Sequence, residues 1–280
     1  MRAEKLYAVV TLCDPPAAHR SVTNSFDFFP VVRNHTIMKI HDAAAQGLVI
    51  GELSETLTME TMERGRTIDP SVELAGRLML GASVLLSEDA YLGGSVSVGR
   101  AARIQAGVFL GSLVQVGPEA VIGQRVTIFR QATIGRNATI QSDVIVAPET
   151  SIPDCAQIGE GRIIPTQRAI MTLSPVGAHH RVVTIHGGPE GPEYSAGCQY
   201  SDSWQEFWDR IVYATDTTTE SARHYRSLKR TFLALGVTTQ RAYDAAVQRG
   251  SIDRLRDMAE QVRAKMRVRV PADDIGDETA

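Results

Sequence analysis

The chain has 280 residues, 43% of them apolar, and a formal net charge of −3. Those figures describe an ordinary globular protein and exclude a disordered one. Length allows one large domain or two to three small ones, and no apolar run approaches the roughly 20 residues needed to span a bilayer.

The N-terminus, Met1–Lys5 followed by the apolar Leu6–Cys13, carries an acid in its charged part and a short apolar run. It is read as a first strand over Leu6–Leu12, broken by Asp14-Pro15-Pro16, and not as a signal peptide. Phe26, Phe28 and Phe29 before Pro30 suggest a loop with aromatic anchors. A short helix is expected over about Ile40–Gln46, closed by Gly47. Residues 1–67 are taken together as a cap, because an open solenoid end exposes unpaired backbone that needs covering.

From Ile68 to Ile164 an aliphatic residue returns at every sixth position: Ile68, Leu74, Leu80, Leu86, Leu92, Val98, and so on through Ile152, Ile158 and Ile164. Four residues after most of these stands a small or β-branched residue, such as Val84, Ala90, Val96, Ala102 or Val108, until Arg162 ends the series. The residue after the aliphatic is often glycine, as at Gly81, Gly93, Gly99, Gly111, Gly117, Gly123, Gly135 and Gly159. Six fits neither a helix nor an ordinary strand, so the pattern belongs to a repeat architecture. One hexad supplies a short strand and a tight turn; three close a triangular coil, and coils stack at roughly 4.8 Å. Just over five coils result.

These hexads resemble the hexapeptide-repeat proteins, whose fold is a left-handed parallel β-helix usually assembled as a trimer. The resemblance implies a mainly β fold for residues 68–164; the rest of the chain divides by its own residues into an N-terminal cap (1–67), a hairpin and helical region (165–270) and an acidic tail (271–280). The left hand comes from the resemblance, since parallel crossovers are generally right-handed.

Unbroken register makes the outer faces readable. One bears Tyr91, Phe109, Thr127, Ile145 and Ile163 before the aliphatics, with Phe129 and Ala147 after them. Such an apolar wall needs covering. A neighbouring subunit is the expected cover, with Tyr91, Phe109, Phe129, Ile145 and Ile163 as the oligomer face; the chain's own C-terminal helices are the alternative. A second face is polar (Ser97, Gln115, Thr133, Ser151) and a third is mixed (Leu85, Arg103, Val121, Gln157).

After Pro165 the period stops. Arg181–His186, the turn Gly187–Pro192 and Glu193–Gln199 read as a hairpin. Ser203 with Glu206, and Thr217 with Glu220, form capping boxes for two helices. The second is expected to stop at Gly236, with further helices starting at Thr239 and Ser251. Residues 263–270 alternate strictly and suggest an edge strand. The order of elements from about Val182 to Leu235 resembles the segment that follows hexapeptide coils in some uncharacterised phage and bacterial proteins. Between Trp204 and Val270 stand thirteen Arg/Lys against eight Asp/Glu. Without a nucleic-acid motif this is a solvated surface, so neither nucleic acid nor membrane is an expected partner.

Characterised hexapeptide-repeat proteins are mostly acyltransferases that bind acyl-coenzyme A or acyl carrier protein. A histidine acts as general base toward the acceptor, in a cleft between coils of the trimer. The γ-type carbonic anhydrases among them hold zinc on three histidines. Residues 68–163 contain no histidine and no lysine, which argues against the anhydrase and removes the usual base from its usual place. His179 and His180, just past the last coil, become the catalytic candidates, with His35, His41 and His186 behind them. Cys198 reads as a core residue. Cys13, Cys155 and Cys198 are odd in number and widely spaced; no metal site or disulfide framework fits them, and a reducing cytoplasm is the expected compartment.

Arg100 and Arg136, at equivalent turns two coils apart, and Arg125 and Arg130, on the other two edges, are candidate ligands for an anion lying along an edge. Three readings follow. The first is an acyl- or acetyltransferase-like protein that binds a coenzyme A thioester at an inter-subunit cleft. The second is a non-catalytic protein that sequesters a nucleotide-like anion. The third is a structural trimer. No cofactor is required by any of them.

Overall fold

The eighteen-residue register closes the hexads into three parallel sheets that share one core. The computed structural model describes residues 9–11, 37–51, 67–176, 181–196, 199–201, 203–214 and 220–268. The wall sheet contains Glu73–Leu74, Tyr91–Leu92, Phe109–Leu110, Thr127–Ile128, Ile145–Val146 and Ile163–Ile164, with Met38–Lys39 added at its start. The polar sheet runs from Val49–Gly51 through Leu78–Leu80 and Val96–Val98 to Ser151–Ile152. The mixed sheet runs from Thr67–Ile68 through Arg103–Ile104 to Gln157–Ile158. Each residue pairs with the one eighteen positions away, as Phe109 does with Tyr91 and Thr127. The fold is a parallel β-solenoid of about five turns, as the repeat predicts.

Both members of each hexad point inward. Leu92, Ile104, Leu110, Ile122 and Ile128 are fully buried, as are the small partners Ala102, Val108 and Ala120. Small residues are required there because three of them meet in each layer. The glycines after the aliphatics have a second reason: a Cβ on Gly111 would lie 2.6 Å from the Arg130 nitrogen of the next coil. From Leu80 to Ile158 the third residue after each aliphatic takes positive φ, twelve times without being glycine, as in Leu113 (63°) and Arg125 (55°). Its N–H donates to the preceding coil: Leu113 to Gly94 O at 2.9 Å and Arg125 to Ala106 O at 2.9 Å.

Helix α1 (Ile40–Ala45) plugs the open end, with Ile40 and Ala43 fully buried in the solenoid core and Gly47 in positive φ behind it. Met38–Lys39 runs antiparallel to Glu73–Leu74. Val9–Thr11 lies instead in an antiparallel sheet at the other end of the rod, paired with Thr172–Ser174. That sheet continues through Ile170–Val176, Arg181–His186, Glu193–Ala196 and Gln199–Ser201, which includes the anticipated hairpin. It docks on the last coil: Gln157 N–H donates to Thr184 Oγ1 (3.0 Å) and Ser195 Oγ donates to Gln157 O (3.2 Å).

Three helices follow: α2 (Trp204–Ala214), α3 (Glu220–Gln248) and α4 (Ser251–Val268). Ser203 caps α2 by accepting the Glu206 N–H at 3.2 Å, while Thr217 lies outside the described residues. The expected break at Gly236 does not occur. A Cβ there would stand 2.0 Å from the Tyr194 hydroxyl oxygen, so the glycine makes room for a tyrosine inside a continuous helix. Tyr194 is buried and its hydroxyl is pushed up to about 12 by that burial. Thr239 starts no helix either; its hydroxyl bonds back to Leu235 O and Gly236 O. Residues 263–268 are helical and not an edge strand, because Val262 packs against the wall and Arg263 grips a coil edge. No described helix is long and apolar enough to cross a membrane.

Thr127, in the middle of the wall, is 1% exposed and its hydroxyl has no hydrogen-bond partner among the described residues. Thr127→Val removes that unmet group, so thermal denaturation should show a stabilisation of about 1 kcal/mol. A lower melting temperature would show the hydroxyl to be satisfied.

Candidate functional site

The apolar wall is covered over its later coils by the chain itself. Phe129, Ile145, Ala147 and Ile163 are buried in one cluster with Tyr243 and Ala246 of α3 and with Ile252, Leu255 and Ala259 of α4. Phe129, Ile145 and Ile163 therefore belong to an intrachain contact, which corrects their assignment to an oligomer face. The helix can lie there because its apolar positions recur at helical spacing opposite a flat sheet. Phe109 packs at the margin of this cluster and stacks on Tyr91, with centroids 5.1 Å apart and planes 5° apart.

The four arginines stand on three different edges, so the solenoid does not bring them into one site. Arg125, between the mixed face and the wall, forms a two-point pair with Asp143 (3.0 and 2.5 Å). Arg263 of α4 joins it, donating to Arg125 O at 2.7 Å and lying 3.7 Å from Asp143. Arg130, between the wall and the polar face, faces Glu149 at 3.8 Å. Arg100 and Arg136 share the remaining edge, between the polar and mixed faces. There Arg100 lies 3.7 Å from Glu119, and Arg136 N–H donates to Asp154 Oδ1 at 2.7 Å. Both side chains are exposed. Cys155 on the same edge has its thiol pushed up by burial, which makes it a poor nucleophile.

His179, His180, His35, Cys13 and Cys198 lie outside the described residues. His41 is half-buried on α1. His186 is 1% exposed, with Nδ1 3.3 Å from Gly187 O and Nε2 3.7 Å from Glu193 Oε2. Glu193 is itself buried and accepts from Arg162 Nε at 2.6 Å. A Cβ on Gly188 would stand 2.2 Å from Glu193 Oε1, so that glycine gives the carboxylate its room. This polar cluster joins the last coil to the hairpin, and its burial keeps His186 from serving a substrate. The one sequence signal of the junction is Arg162, which breaks the rule of small inward residues. Among the described residues no group of three or more His, Cys, Asp or Glu could hold a metal.

The six-residue register and the stacked coils define a parallel β-solenoid. No protein-family model matches the chain, and no curated protein does. Solved structures share segments with it at low identity. PerB from Caulobacter crescentus, in complex with CoA and GDP-perosamine, is 20% identical over 40% of this chain and 55% of that one, with a TM-score of 0.22. A hexapeptide transferase family protein from Anaplasma phagocytophilum is 14% identical over 60% of this chain and 92% of that one (TM-score 0.26). A putative acetyltransferase from Bacillus cereus is 14% identical over 58% and 92% (TM-score 0.20). The matched part of this chain thus spans little more than half of PerB, and these likenesses concern the fold alone.

Two outcomes test the contacts that fix α4. Hydrogen bonding from Arg125 holds the Asp143 carboxyl below the ordinary carboxylate range, with burial opposing. A depressed acid stabilises fully above its unfolded pKa of about 4 and loses that contribution as pH falls through the lower folded value. Asp143→Asn should therefore lower the melting temperature at neutral pH and flatten its fall below about pH 4; an acid limb parallel to wild type would remove the pair from the account. Phe129→Ala should destabilise by about 3 kcal/mol and speed amide exchange along α4 without changing the molecular mass in light scattering. A drop in mass would return the wall to a subunit contact.

Proposed function

We propose that this chain is an acyl- or acetyltransferase-like hexapeptide protein that holds a coenzyme A thioester, or an anion of that kind, in a cleft between coils of a homotrimer. The observation that carries this reading is the edge bearing Arg100 and Arg136. The two residues occupy equivalent turns two coils apart, roughly 10 Å on the stacking distance. Both are exposed, whereas the edge at Arg125 is occupied by α4. Two guanidinium groups at that spacing suit separate phosphates of one ligand. In the transfer, the acceptor's nitrogen or oxygen bonds to the acyl carbon as the carbon–sulfur bond breaks. His179 or His180 takes the acceptor's proton and returns one to the departing thiolate.

A second reading is favoured by a specific absence: residues 68–163 carry no histidine, and His186 is buried in the junction. On that reading the same edge sequesters a nucleotide-like anion without chemistry.

Thermal-shift measurement with acetyl-coenzyme A tests the binding, and the fate of the thioester decides between the two readings. At a hundredfold excess over Kd, binding stabilises by about 2.7 kcal/mol, and the shift should disappear in the double variant Arg100→Ala, Arg136→Ala. No shift in the wild type would sink the proposal. Thiol release in the presence of an amine or hydroxyl acceptor, abolished by His179→Ala or His180→Ala, marks transfer. Acetyl-coenzyme A that stabilises the protein but is recovered unchanged marks sequestration.

A further inference from the structure

We infer that the outer face of α3 docks on the anionic headgroups of a phospholipid bilayer, a role separate from ligand binding at the coil edge. Counted together, the charges from Trp204 to Val270 describe a solvated surface, but the fold sorts them. Between Ser221 and Tyr243 the chain carries Arg223, Arg226, Lys229, Arg230 and Arg241 and no acid. All five cations are exposed, and none of them forms an ion pair among the described residues.

The buried side of α3 fixes which way they point. Tyr225, Phe232, Tyr243 and Ala246 face the body of the protein. Arg223, Arg226, Arg230, Leu233, Val237 and Arg241, spaced by three or four residues, therefore form one outward stripe about 27 Å long. Lys229 stands beside it, 5.0 Å from the centre of the Trp208 ring. The arrangement opposes helix stability. Arg223 and Arg226 lie toward the positive end of the helix dipole, and Arg226 and Arg230 are like charges one turn apart. Neighbouring elements do not cancel the charge, since they add Arg168, Arg181 and Arg210 against Glu190, Glu206 and Asp209. Glu206 pairs with Arg210, and Asp209 accepts from Gln205. Asp244, just past Arg241, is the one acid on the rest of α3 toward its C-terminus.

The aliphatic centre of the stripe selects the occupant. Leu233 is 38% exposed and Val237 50%, with arginines at both ends of the pair. A nucleic-acid backbone offers phosphates to the arginines and nothing to the aliphatics. An acidic protein partner gains most from anchors seated in a recess, whereas this face is the convex ridge of a single helix. A bilayer surface meets both kinds of group. Headgroup phosphates and carboxylates pair with the guanidinium groups, while Leu233 and Val237 enter the boundary with the acyl chains. No described helix is long and apolar enough to cross, so docking through this face is peripheral, reversible and weakened by salt.

Sedimentation of the full chain with vesicles tests the contact. The protein should pellet with vesicles of phosphatidylcholine and phosphatidylserine at roughly three parts to one, and stay in solution with phosphatidylcholine alone. Each cation near an anionic surface changes partition about fivefold, so Arg226→Ala with Arg230→Ala should weaken binding about 25-fold. Leu233→Ser with Val237→Ser should weaken it as well, whereas Arg103→Ala, on the mixed face of the rod, should leave it unaltered. All five positions are exposed, so the far-UV spectra of the variants should match that of the wild type. No pelleting with the phosphatidylserine vesicles, equal pelleting with phosphatidylcholine alone, or an equal loss on Arg103→Ala would each overturn the inference. Binding that ignores the Leu233 and Val237 changes and is competed away by a DNA duplex would also overturn it, and would assign the stripe to a nucleic-acid backbone.

Discussion

Backbone hydrogen bonding from each coil to the next is the constraint on which the molecule depends. Strands only two residues long have little cooperativity of their own, and they persist because every coil repeats the donor and acceptor positions of the last. Phe109 N–H donates to Val126 O at 2.9 Å and Thr127 N–H to Val144 O at 2.9 Å, one coil further on. That repetition needs a rise that never varies, which limits side-chain volume at two places. The inward pair must be one large and one small group, and the residue after the large one must often have no side chain at all. Gly117 and Gly135 meet the next coil's backbone where any Cβ would be within 3 Å of it.

The same constraint explains conformations that would be costly elsewhere. Leu113, Glu119, Arg125 and Gln131 all take positive φ, a region that disfavours side chains by roughly 1–2 kcal/mol. Each turn is held there by an N–H bond to the preceding coil, as for Gln131 to Ser112 O at 2.9 Å. The lateral ladders between arginines and acids add to this from outside, most tightly at Arg125 and Asp143. Exposed pairs of this sort contribute little singly. At that edge the pair also seats α4, which ties a local contact to the cover of the wall.

What could be read from the residues divides along these lines. The coils were legible because burial acts on every sixth position, and burial selects for residue type. The three faces followed from register alone. Positive φ at the turns was hidden, since Leu113 and Arg125 are not residues that advertise it. So was the continuity of α3, where Gly236 has the appearance of a stop but serves Tyr194 across the domain. Long-range pairing also leaves little trace: nothing near Glu193 announces His186 or Arg162 as its neighbours. Of the candidate site, the individual arginines were visible but their distribution over three edges followed only from counting residues around the triangle. The docking of α4 on Phe129, Ile145 and Ile163 depended on helical spacing some ninety or more residues away.

The antiparallel strand Val9–Thr11 has a temporal implication. Its partner, Thr172–Ser174, is synthesised only after the whole solenoid has been made. A rod that grows by adding coils can assemble in chain order, each new turn templated by the one before. The first strand cannot join that progression. It must wait, unpaired, while the ribosome delivers the intervening chain, and its arrival closes a loop of more than 150 residues. Sequential winding thus ends in a step that reaches back to the first strand, and completion of the sheet reports that the whole solenoid and the strands through Ser201 have been made.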